Sequence, residues 1–352
     1  MVSPMHTVAV TGVSGNVGQR VLRLLDADPT VDRVVGIDAR DPRFRPHKLS
    51  FRRLDLASAD LVPVVAGADA VVHLAWVFGP PRDEELLARV NLAGTRRLLE
   101  AATTAGVKSF VFVSSAMVYG AWPDNPVPLT EAAPLRPNPA FAYAAQKVEV
   151  ERLLADWAGA HPDAAVTVLR PAPALDPDND HWLARAWRGA GAVRVRRPPP
   201  PMQCVHEDDL ASAVALALRK GLAGAFNVAP DGWVPGEQVR PLVSPGLGVA
   251  LPERLARRVM RLGWATGLLD TTPAVVPYLV HPWVVANDRL EAEGWRPVHS
   301  NEEALVAARP LPAWRALLAR RRQEVALAAG GGVLAGLAGA VVAVVRRRRR
   351  AP

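Results

Sequence analysis

Short apolar runs alternate with longer amphipathic segments through the first two-thirds of the chain. The apolar runs predict strands at 7–10, 33–38, 50–54, 70–74, 110–113, 166–169 and 225–228. The amphipathic segments between them predict helices, the longest at 83–105 and 143–160. This alternation is typical of a parallel sheet covered by helices on both faces. We therefore predict an α/β fold built on a doubly wound, Rossmann-type parallel sheet.

A glycine-rich turn directly follows the first predicted strand and precedes an amphipathic helix at 19–25. Gly12 permits a tight turn, Gly15 lets the backbone approach a pyrophosphate, and Gly18 lets helix and strand pack closely. The phosphates would lie at the positive end of the helix. Strand, turn and helix occur in the order that the motif requires, so they predict a dinucleotide site. Its residues are Thr11, Gly12, Ser14, Gly15, Asn16, Val17 and Gly18.

An acidic residue ends the second predicted strand. Asp38 is placed to accept hydrogen bonds from the adenosine ribose hydroxyls, and its carboxylate would repel a 2′-phosphate. We therefore expect NAD rather than NADP as the cofactor. Arg40, Arg43 and Arg45 follow closely and could bind such a phosphate, but we interpret them as part of a solvated loop.

Two later segments, 171–205 and 230–318, are less regular and richer in Pro and Trp. We predict that they assemble a smaller C-terminal substrate lobe for a small-molecule substrate. Residues 1–170 and 206–229 would form the NAD-binding Rossmann core. A tail at 319–352 completes the predicted organisation.

The formal charge of the chain is +8, and the excess is confined to the tail. Eight of the 42 Lys and Arg residues lie at 320–322 and 346–350, and the remaining 34 match the 34 acidic residues. A neutral body does not attract a polyanion, so we expect no nucleic-acid partner. The single cysteine, Cys204, excludes an intramolecular disulfide, and we interpret it as a buried structural thiol.

The tail contains 21 uncharged positions from Val325 to Val345, bounded on both sides by arginines. As a helix this stretch would be about 31 Å long, close to the hydrocarbon thickness of a bilayer. We predict an apolar C-terminal helix attached to the cytoplasmic membrane. The catalytic body would lie in the cytoplasm, since no signal peptide precedes it. The alternative is a helix packed on the protein's own surface or on a partner subunit of a homodimer.

Further short motifs occur in a fixed order between positions 7 and 297. They are Asp55-Leu56, His73-Leu74-Ala75, Asn91-Leu92-Ala93-Gly94-Thr95, Ser114 to Gly120, Tyr143-Ala144-Ala145-Gln146-Lys147, Arg170-Pro171, Val205 to Ala211 and Gly294-Trp295-Arg296-Pro297. With the glycine turn and Asp38, they resemble the extended short-chain dehydrogenase/reductase family, also called the NAD-dependent epimerase/dehydratase family. The resemblance implies a Ser-Tyr-Lys catalytic site and hydride transfer at a secondary alcohol or ketone.

Tyr143 and Lys147 are four residues apart, so on a helix they share one face. A phenol with an ordinary pKa of about 10 is a poor acid or base at neutral pH. We expect the Lys147 ammonium, together with the positive nicotinamide ring, to lower the pKa of Tyr143 and to anchor the nicotinamide ribose. Ser115 would donate a hydrogen bond to the substrate oxygen while its charge changes. The nicotinamide supplies the redox chemistry.

The resemblance extends the predicted cofactor site beyond the glycine turn. It implies that Asp55 contacts the adenine, that Ala75 lines the cleft and that Asn91 steadies the strand beside the active site. The additional cofactor residues are Asp38, Asp55, Leu56, Leu74, Ala75, Asn91, Tyr143, Lys147, Arg170 and Pro171.

Other polar residues are interpreted as structural. His73 and His206 are expected to be packed histidines, and Tyr119 a packed tyrosine. No group of His, Cys or carboxylate side chains shows metal-ligand spacing in the sequence, so we expect no metal.

Departures from the family pattern bear on the reaction. Dehydratases resembling this family carry an Asp-Glu pair after the catalytic Ser or Thr, where this chain has Ala116 and Met117, so dehydration is not expected. Nucleotide-sugar epimerases usually hold the diphosphate with an arginine where this chain has Met202. We therefore favour a dehydrogenase. A nucleotide-sugar 4-epimerase with retained NAD stays open, because other arginines could substitute, as does a non-catalytic dinucleotide sensor. The candidate substitutes are Arg194, Arg196, Arg197 and Arg289.

Overall fold

A computed structural model describes residues 6–77, 84–175, 193–195, 197–243, 249–266 and 272–307. The strands are β1 Thr7–Thr11, β2 Arg33–Asp38, β3 Leu49–Arg53, β4 Ala70–His73, β5 Ser109–Val113, β6 Ala165–Pro171, β7 Ala174–Leu175, β8 Val193–Val195, β9 Val205–His206, β10 Gly224–Val228 and β11 Val249–Leu251. The α-helices are α1 Asn16–Ala27, α2 Val62–Val65, α3 Glu84–Ala88, α4 Gly94–Ala105, α5 Ala142–Ala160, α6 Glu207–Lys220, α7 Gly236–Val243, α8 Glu253–Ala265, α9 Asp288–Ala292 and α10 Asn301–Ala307.

Seven of the strands form one parallel sheet in the order β10-β6-β5-β4-β1-β2-β3. The chain builds outward from β1 to β3, then crosses back to β4 on the other side of β1. Ligands of open α/β sheets bind at the carboxyl ends of the strands where the direction of winding reverses. That point lies between the ends of β1 and β4, where Thr11 pairs with His73.

The central strands are apolar on both faces, which is why helices cover both sides of the sheet. Val8 and Val10 of β1 point to one face, and Ala9 points to the other. The first face packs against α1 and α6, and the second against α2, α4 and α5. The predicted Rossmann-type fold is confirmed, with each predicted strand of the main sheet within two residues of its observed bounds.

The helix predicted at 83–105 differs in detail from the observed one. Glu84–Ala88 and Gly94–Ala105 are α-helical, and the five residues Arg89–Ala93 between them form a π-helical turn. In a π turn each backbone hydrogen bond spans one residue more than in an α-helix, and such turns often lie beside a functional site. Here it carries Asn91, whose side chain is buried.

Described residues of the less regular segments, among them Ala172 and Trp283, pack around the turn that follows β5. Two short 3₁₀ turns, Ala116–Tyr119 and Pro273–Leu279, belong to one apolar cluster with Phe141 and Trp283. The domain boundaries remain predictions. Among the helices of the described residues, none is both long enough and apolar enough to cross a membrane. The predicted apolar C-terminal helix and the rest of 319–352 lie outside the described residues.

Candidate functional site

The glycine turn after β1 is packed too tightly for side chains. Gly12 has a φ of +77°, and a Cβ there would lie 2.5 Å from the Ala75 nitrogen. A Cβ on Gly18 would lie 2.2 Å from the Gly12 carbonyl oxygen. No side chain caps α1, whose N-cap is Gly15, and its first turn contains no acidic residue. The first N–H groups of α1 are therefore available to an anion such as a pyrophosphate.

We expect Gly18→Ala to lower NAD affinity by at least tenfold, because the new methyl group forces α1 away from the turn that receives the phosphates. A matched control is Gly159→Ala in α5, where a Cβ would meet no atom within 4 Å. That change should leave affinity unaltered and stabilise the helix by up to about 1 kcal/mol. Fluorescence titration with NADH measures both variants. Unchanged affinity in Gly18→Ala would show that the turn does not bind the phosphates.

A cleft of about 730 Å³ runs along the carboxyl edge of the sheet from the glycine turn to α5. It brings together most of the residues predicted from the sequence. The predicted residues that line it are Gly12, Ser14, Gly15, Asn16, Val17, Gly18, Asp38, Asp55, Leu56, Leu74, Ala75, Ser115, Tyr143, Lys147 and Pro171. Thr11, Asn91 and Arg170 are not among its lining residues.

Asp38 lies at the end of β2 with its carboxylate beside the glycine turn. One oxygen accepts a hydrogen bond from the Ser14 N–H at 3.0 Å, and the other accepts one from the Arg40 N–H at 3.0 Å. Each carboxylate oxygen retains capacity for a further hydrogen bond. Arg40 and Arg43 line the cleft here, whereas Arg45 pairs with Asp41 at 2.7 Å on the surface. The solvated-loop interpretation therefore describes Arg45 better than the other two.

Thr11 acts behind the cleft wall. Its hydroxyl oxygen lies 2.7 Å from His73 Nδ1 and accepts a hydrogen bond from the Ala75 N–H at 3.2 Å. His73 Nε2 lies 2.9 Å from the Thr95 hydroxyl. Burial lowers the pKa of His73 to about 3, so its ring is neutral. Thr11 thus positions the backbone of Ala75, and His73 has the structural role expected of it.

Asn91 fixes the segment that follows β4. Its side-chain oxygen accepts a hydrogen bond from the Val77 N–H at 2.9 Å, and its amide nitrogen donates one to Gln146 of α5 at 2.9 Å. The side chain therefore ties the π turn to both sides of the cleft wall. Direct cofactor contact by Asn91 is not what this geometry indicates, because its hydrogen-bonding groups face protein atoms.

Arg170 is also held by protein groups. Its guanidinium donates two hydrogen bonds to the Glu151 carboxylate at 2.6 and 3.1 Å, and another to the Tyr119 hydroxyl at 2.8 Å. The Ser114 hydroxyl donates to the same carboxylate at 2.5 Å. Burial disfavours the charge on Arg170, but Glu151 outweighs that effect and raises its pKa. Arg170 is buried and is not among the residues that line the cleft, so this geometry indicates a supporting position behind the site.

Tyr143 and Lys147 share one face of α5, as their spacing requires, but the expected effect of the lysine on the phenol is not seen. Burial raises the pKa of Tyr143 to about 12, although its hydrogen bond with Ser115 opposes the change. Lys147 Nζ donates to the Val113 carbonyl at 2.8 Å and lies 3.6 Å from the centre of the Trp76 ring. Burial lowers the pKa of Lys147 well below its usual value, against the opposing charge of Glu151. Desolvation dominates both groups in this structure.

Comparison with known proteins identifies the family. Residues 8–229 match the model of the NAD-dependent epimerase/dehydratase family. The chain belongs to this family. A UDP-glucose 4-epimerase of Azospirillum brasilense is 31% identical over 337 residues, covering 85% of this chain and 89% of that protein. A 3-diazoavenalumate denitrifying reductase of a Streptomyces species is 29% identical over 345 residues, covering 89% of this chain and 99% of that protein.

Solved structures of the epimerase/dehydratase fold agree with the observed architecture. The UDP-glucose 4-epimerase of Thermus thermophilus, solved with NAD, is 23% identical and superposes with a TM-score of 0.65. The match covers 86% of this chain and 97% of that one. The predicted cofactor, NAD, is the one for which the family is named.

The structure adds residues to the site that the sequence did not predict as part of it. Trp76 lines the cleft and meets Tyr143 edge to face, with ring centres 6.1 Å apart. Met117 also lines it, and Tyr278 donates to the Met117 carbonyl at 3.0 Å. Trp76 directly follows the His73-Leu74-Ala75 motif, and this position in the sequence could have indicated that it lines the cleft. Nothing local in the sequence indicates Tyr278, which lies 161 residues from its partner.

The fold also assembles three potential metal-ligating side chains that the sequence spacing did not suggest, His206, Asp208 and His299. The two imidazole rings stack with centres 3.9 Å apart and an interplanar angle of 23°. The Arg20 guanidinium donates to Asp208 at 2.6 Å, and His206 Nδ1 accepts from the Asp208 N–H at 3.2 Å. We assign this cluster to packing, the structural role expected of His206.

Proposed function

We propose that this family member is an NAD-dependent dehydrogenase or reductase that acts at a secondary alcohol or ketone. The observation that carries the proposal is that Ser115 and Tyr143 lie as a pair in the wall of one cleft, together with Lys147. The same cleft begins at the glycine turn and passes Asp38, so one extended ligand can reach from the turn to the pair.

The residues present fit the cofactor. The crowded glycine cradle and the uncapped start of α1 suit the pyrophosphate, and Asp38 suits the adenosine ribose. Bound NAD supplies the hydride acceptor, and NADH the donor. Ser115 would orient the substrate oxygen by a hydrogen bond. Tyr143 would give that oxygen a proton as the phenol during ketone reduction, and would take one from it as the phenolate during alcohol oxidation. Lys147 would hold the nicotinamide ribose.

The substrate end of the cleft favours an apolar alcohol or ketone over a sugar nucleotide. Its walls include Trp76, Met117 and Pro173. The position at which epimerases usually hold the diphosphate is Met202, which is buried beside Cys204 and Val234. Met202 therefore supports the core and cannot bind a phosphate.

Of the arginines considered as substitutes, the two whose side chains the structure describes, Arg197 and Arg289, are not among the residues that line the cleft. Arg289 stacks on Phe226 at 4.5 Å and approaches Gly224, at the amino end of β10, whereas the cleft follows the carboxyl ends. Arg197 lies 3.6 Å from Glu253. Arg196 and the side chain of Arg194 lie outside what the structure describes. A 4-epimerase with retained NAD is the second candidate because of the Azospirillum relative.

Absorbance of the purified protein distinguishes the two candidates. A dehydrogenase exchanges its cofactor, so dialysis should leave no bound nicotinamide, and added NAD should be reduced by hydrophobic secondary alcohols. Retained cofactor after dialysis, together with turnover of UDP-sugars without net NADH formation, would overturn the dehydrogenase in favour of the epimerase. Cofactor binding without turnover of either substrate class would indicate the sensor.

Removing the Asp38 carboxylate should shift the cofactor preference toward NADP. In Asp38→Ser we expect NAD affinity to fall and NADP affinity to rise, each by about tenfold. The reason is that Arg40 and Arg43 already line that part of the cleft and can pair with a 2′-phosphate. Asp41→Asn is the control, because Asp41 is an exposed acid of the same loop that pairs with Arg45. Equilibrium titrations with both cofactors measure the effect, and an unchanged NAD/NADP ratio in Asp38→Ser would contradict it.

We also propose that residues 319–352 attach the protein to the cytoplasmic membrane. The support is the uncharged stretch from Val325 to Val345, with arginines at 320–322 before it and at 346–350 directly after it. Each arginine near an anionic lipid surface adds about 1 kcal/mol. Deleting 320–352 should move the protein from the membrane fraction to the supernatant after gentle lysis, while NAD binding and turnover persist. Full-length protein already found in the supernatant would refute the anchor.

A further inference from the structure

Helix α8 presents an unusual surface outside the cleft. Ala256 and Met260 are its buried residues, and they face the protein. At about 100° per residue, the exposed residues span one continuous arc of the helix. They are Arg254, Leu255, Arg258, Val259, Arg261, Leu262, Ala265 and Thr266, the last being the C-cap residue.

The exposed arc is divided into two sectors of different chemistry. Leu255, Val259 and Leu262 follow each other at spacings of four and three, so they form one apolar strip along the helix. They are 45%, 39% and 66% exposed. Single exposed apolar side chains are ordinary on protein surfaces, but three in a row on one helix form a patch that favours a partner.

The other sector is basic. Arg254, Arg258 and Arg261 lie side by side next to the apolar strip, and none has an acidic partner within the described residues. The one acidic residue of the helix, Glu253, lies beyond the arginine sector, on the side away from the apolar strip. It pairs with Arg257 at 2.9 Å. The exposed face is therefore cationic along one edge and apolar along the other.

We propose that α8 lies on an anionic membrane surface, with its apolar strip in the boundary between headgroups and acyl chains and its three arginines at the phosphates. A helix with one apolar and one Arg-rich sector matches the chemistry of this boundary. A second copy of the chain fits less well, because two such faces would bring their arginines together. The proposal depends neither on the reaction nor on residues 319–352.

A polarity-sensitive fluorophore on Leu262→Cys tests this contact in the full chain. The native Cys204 is buried, so labelling is confined to the new cysteine. Vesicles of phosphatidylcholine with a third phosphatidylglycerol should shift the emission to the blue, and vesicles of phosphatidylcholine alone should not. The control label is placed at Val298→Cys, on another segment and 81% exposed, where the emission should stay unchanged. Protein held only through its tail would leave both labels unchanged and would overturn the proposal.

Charge reversal tests whether the three arginines are needed for the contact with the vesicles. We expect the triple variant Arg254→Glu, Arg258→Glu and Arg261→Glu to bind the vesicles more weakly. The lipid concentration that gives half of the emission shift should rise by on the order of a hundredfold or more. Replacing the same three residues with lysine should preserve the emission shift. An emission shift that survives charge reversal would overturn the membrane assignment. An emission shift that appears without vesicles when the protein concentration is raised would overturn it in favour of a second copy of the chain. A shift with polyglutamate but not with vesicles would overturn it in favour of an acidic protein.

Discussion

Tyr143→Phe is expected to lower kcat by about 10²–10⁴-fold while NAD affinity stays within a few-fold of wild type. The substitution removes only the hydroxyl that exchanges a proton with the substrate oxygen. The ring keeps its place between Trp76 and Phe141, with centres 6.1 and 5.7 Å away. Steady-state kinetics on a substrate found by screening, together with NADH titration, measures both quantities.

The pH profile separates loss of the acid–base group from a mere packing defect. Burial raises the pKa of Tyr143 to about 12, so the phenol keeps its proton at neutral pH. Alcohol oxidation by the wild type needs the deprotonated form, and its rate should therefore rise with pH above neutrality. Tyr143→Phe should lose that rise.

Tyr278→Phe is the matched control. It removes a buried hydroxyl that donates to the Met117 carbonyl, next to the cleft but outside it. We expect a stability loss of about 1 kcal/mol with kcat within a few-fold of wild type. If both variants lose activity equally, the effect is one of packing, and the catalytic assignment of Tyr143 is wrong.

Glu151→Gln is expected to destabilise the fold by about 3–5 kcal/mol, because it leaves the Arg170 charge buried without its counterion. Both side chains are buried, and the shortest distance between their charged groups is 2.6 Å. The Ser114 hydroxyl also loses the carboxylate that accepts its hydrogen bond. Urea denaturation followed by tryptophan fluorescence measures the free energy of unfolding.

Glu149→Gln makes the same chemical change two residues earlier on α5. Glu149 is exposed and pairs with Arg96 at 3.3 Å, so its loss should cost no more than about 1 kcal/mol. A double variant, Glu151→Leu with Arg170→Met, should recover part of the stability by removing both buried charges. Equal effects of Glu149→Gln and Glu151→Gln would contradict the role of the buried pair.

Local sequence was sufficient to predict the elements that form the cleft. The apolar runs located the strands of the main sheet, since a strand buried on both faces must be apolar at successive positions. The glycine turn predicted where the chain passes from β1 into α1, because the backbone atoms there leave no room for a Cβ. Helix periodicity placed Tyr143 and Lys147 on one face of α5. It did not predict the π turn at Arg89–Ala93, which needs Asn91 to meet Val77 and Gln146.

The chain by itself determined the order of its elements, the glycine cradle and the chemical identity of the residues at the sheet edge. Tertiary structure alone decided what those residues can do. Arg170 pairs with Glu151, and Lys147 donates a hydrogen bond to the Val113 carbonyl. Such partners are distant in the sequence, and the pKa shifts depend on how completely the folded chain removes each group from water. Spacing specifies which side chains can meet locally, whereas desolvation and long-range partners arise only when the sheet and its helices have packed.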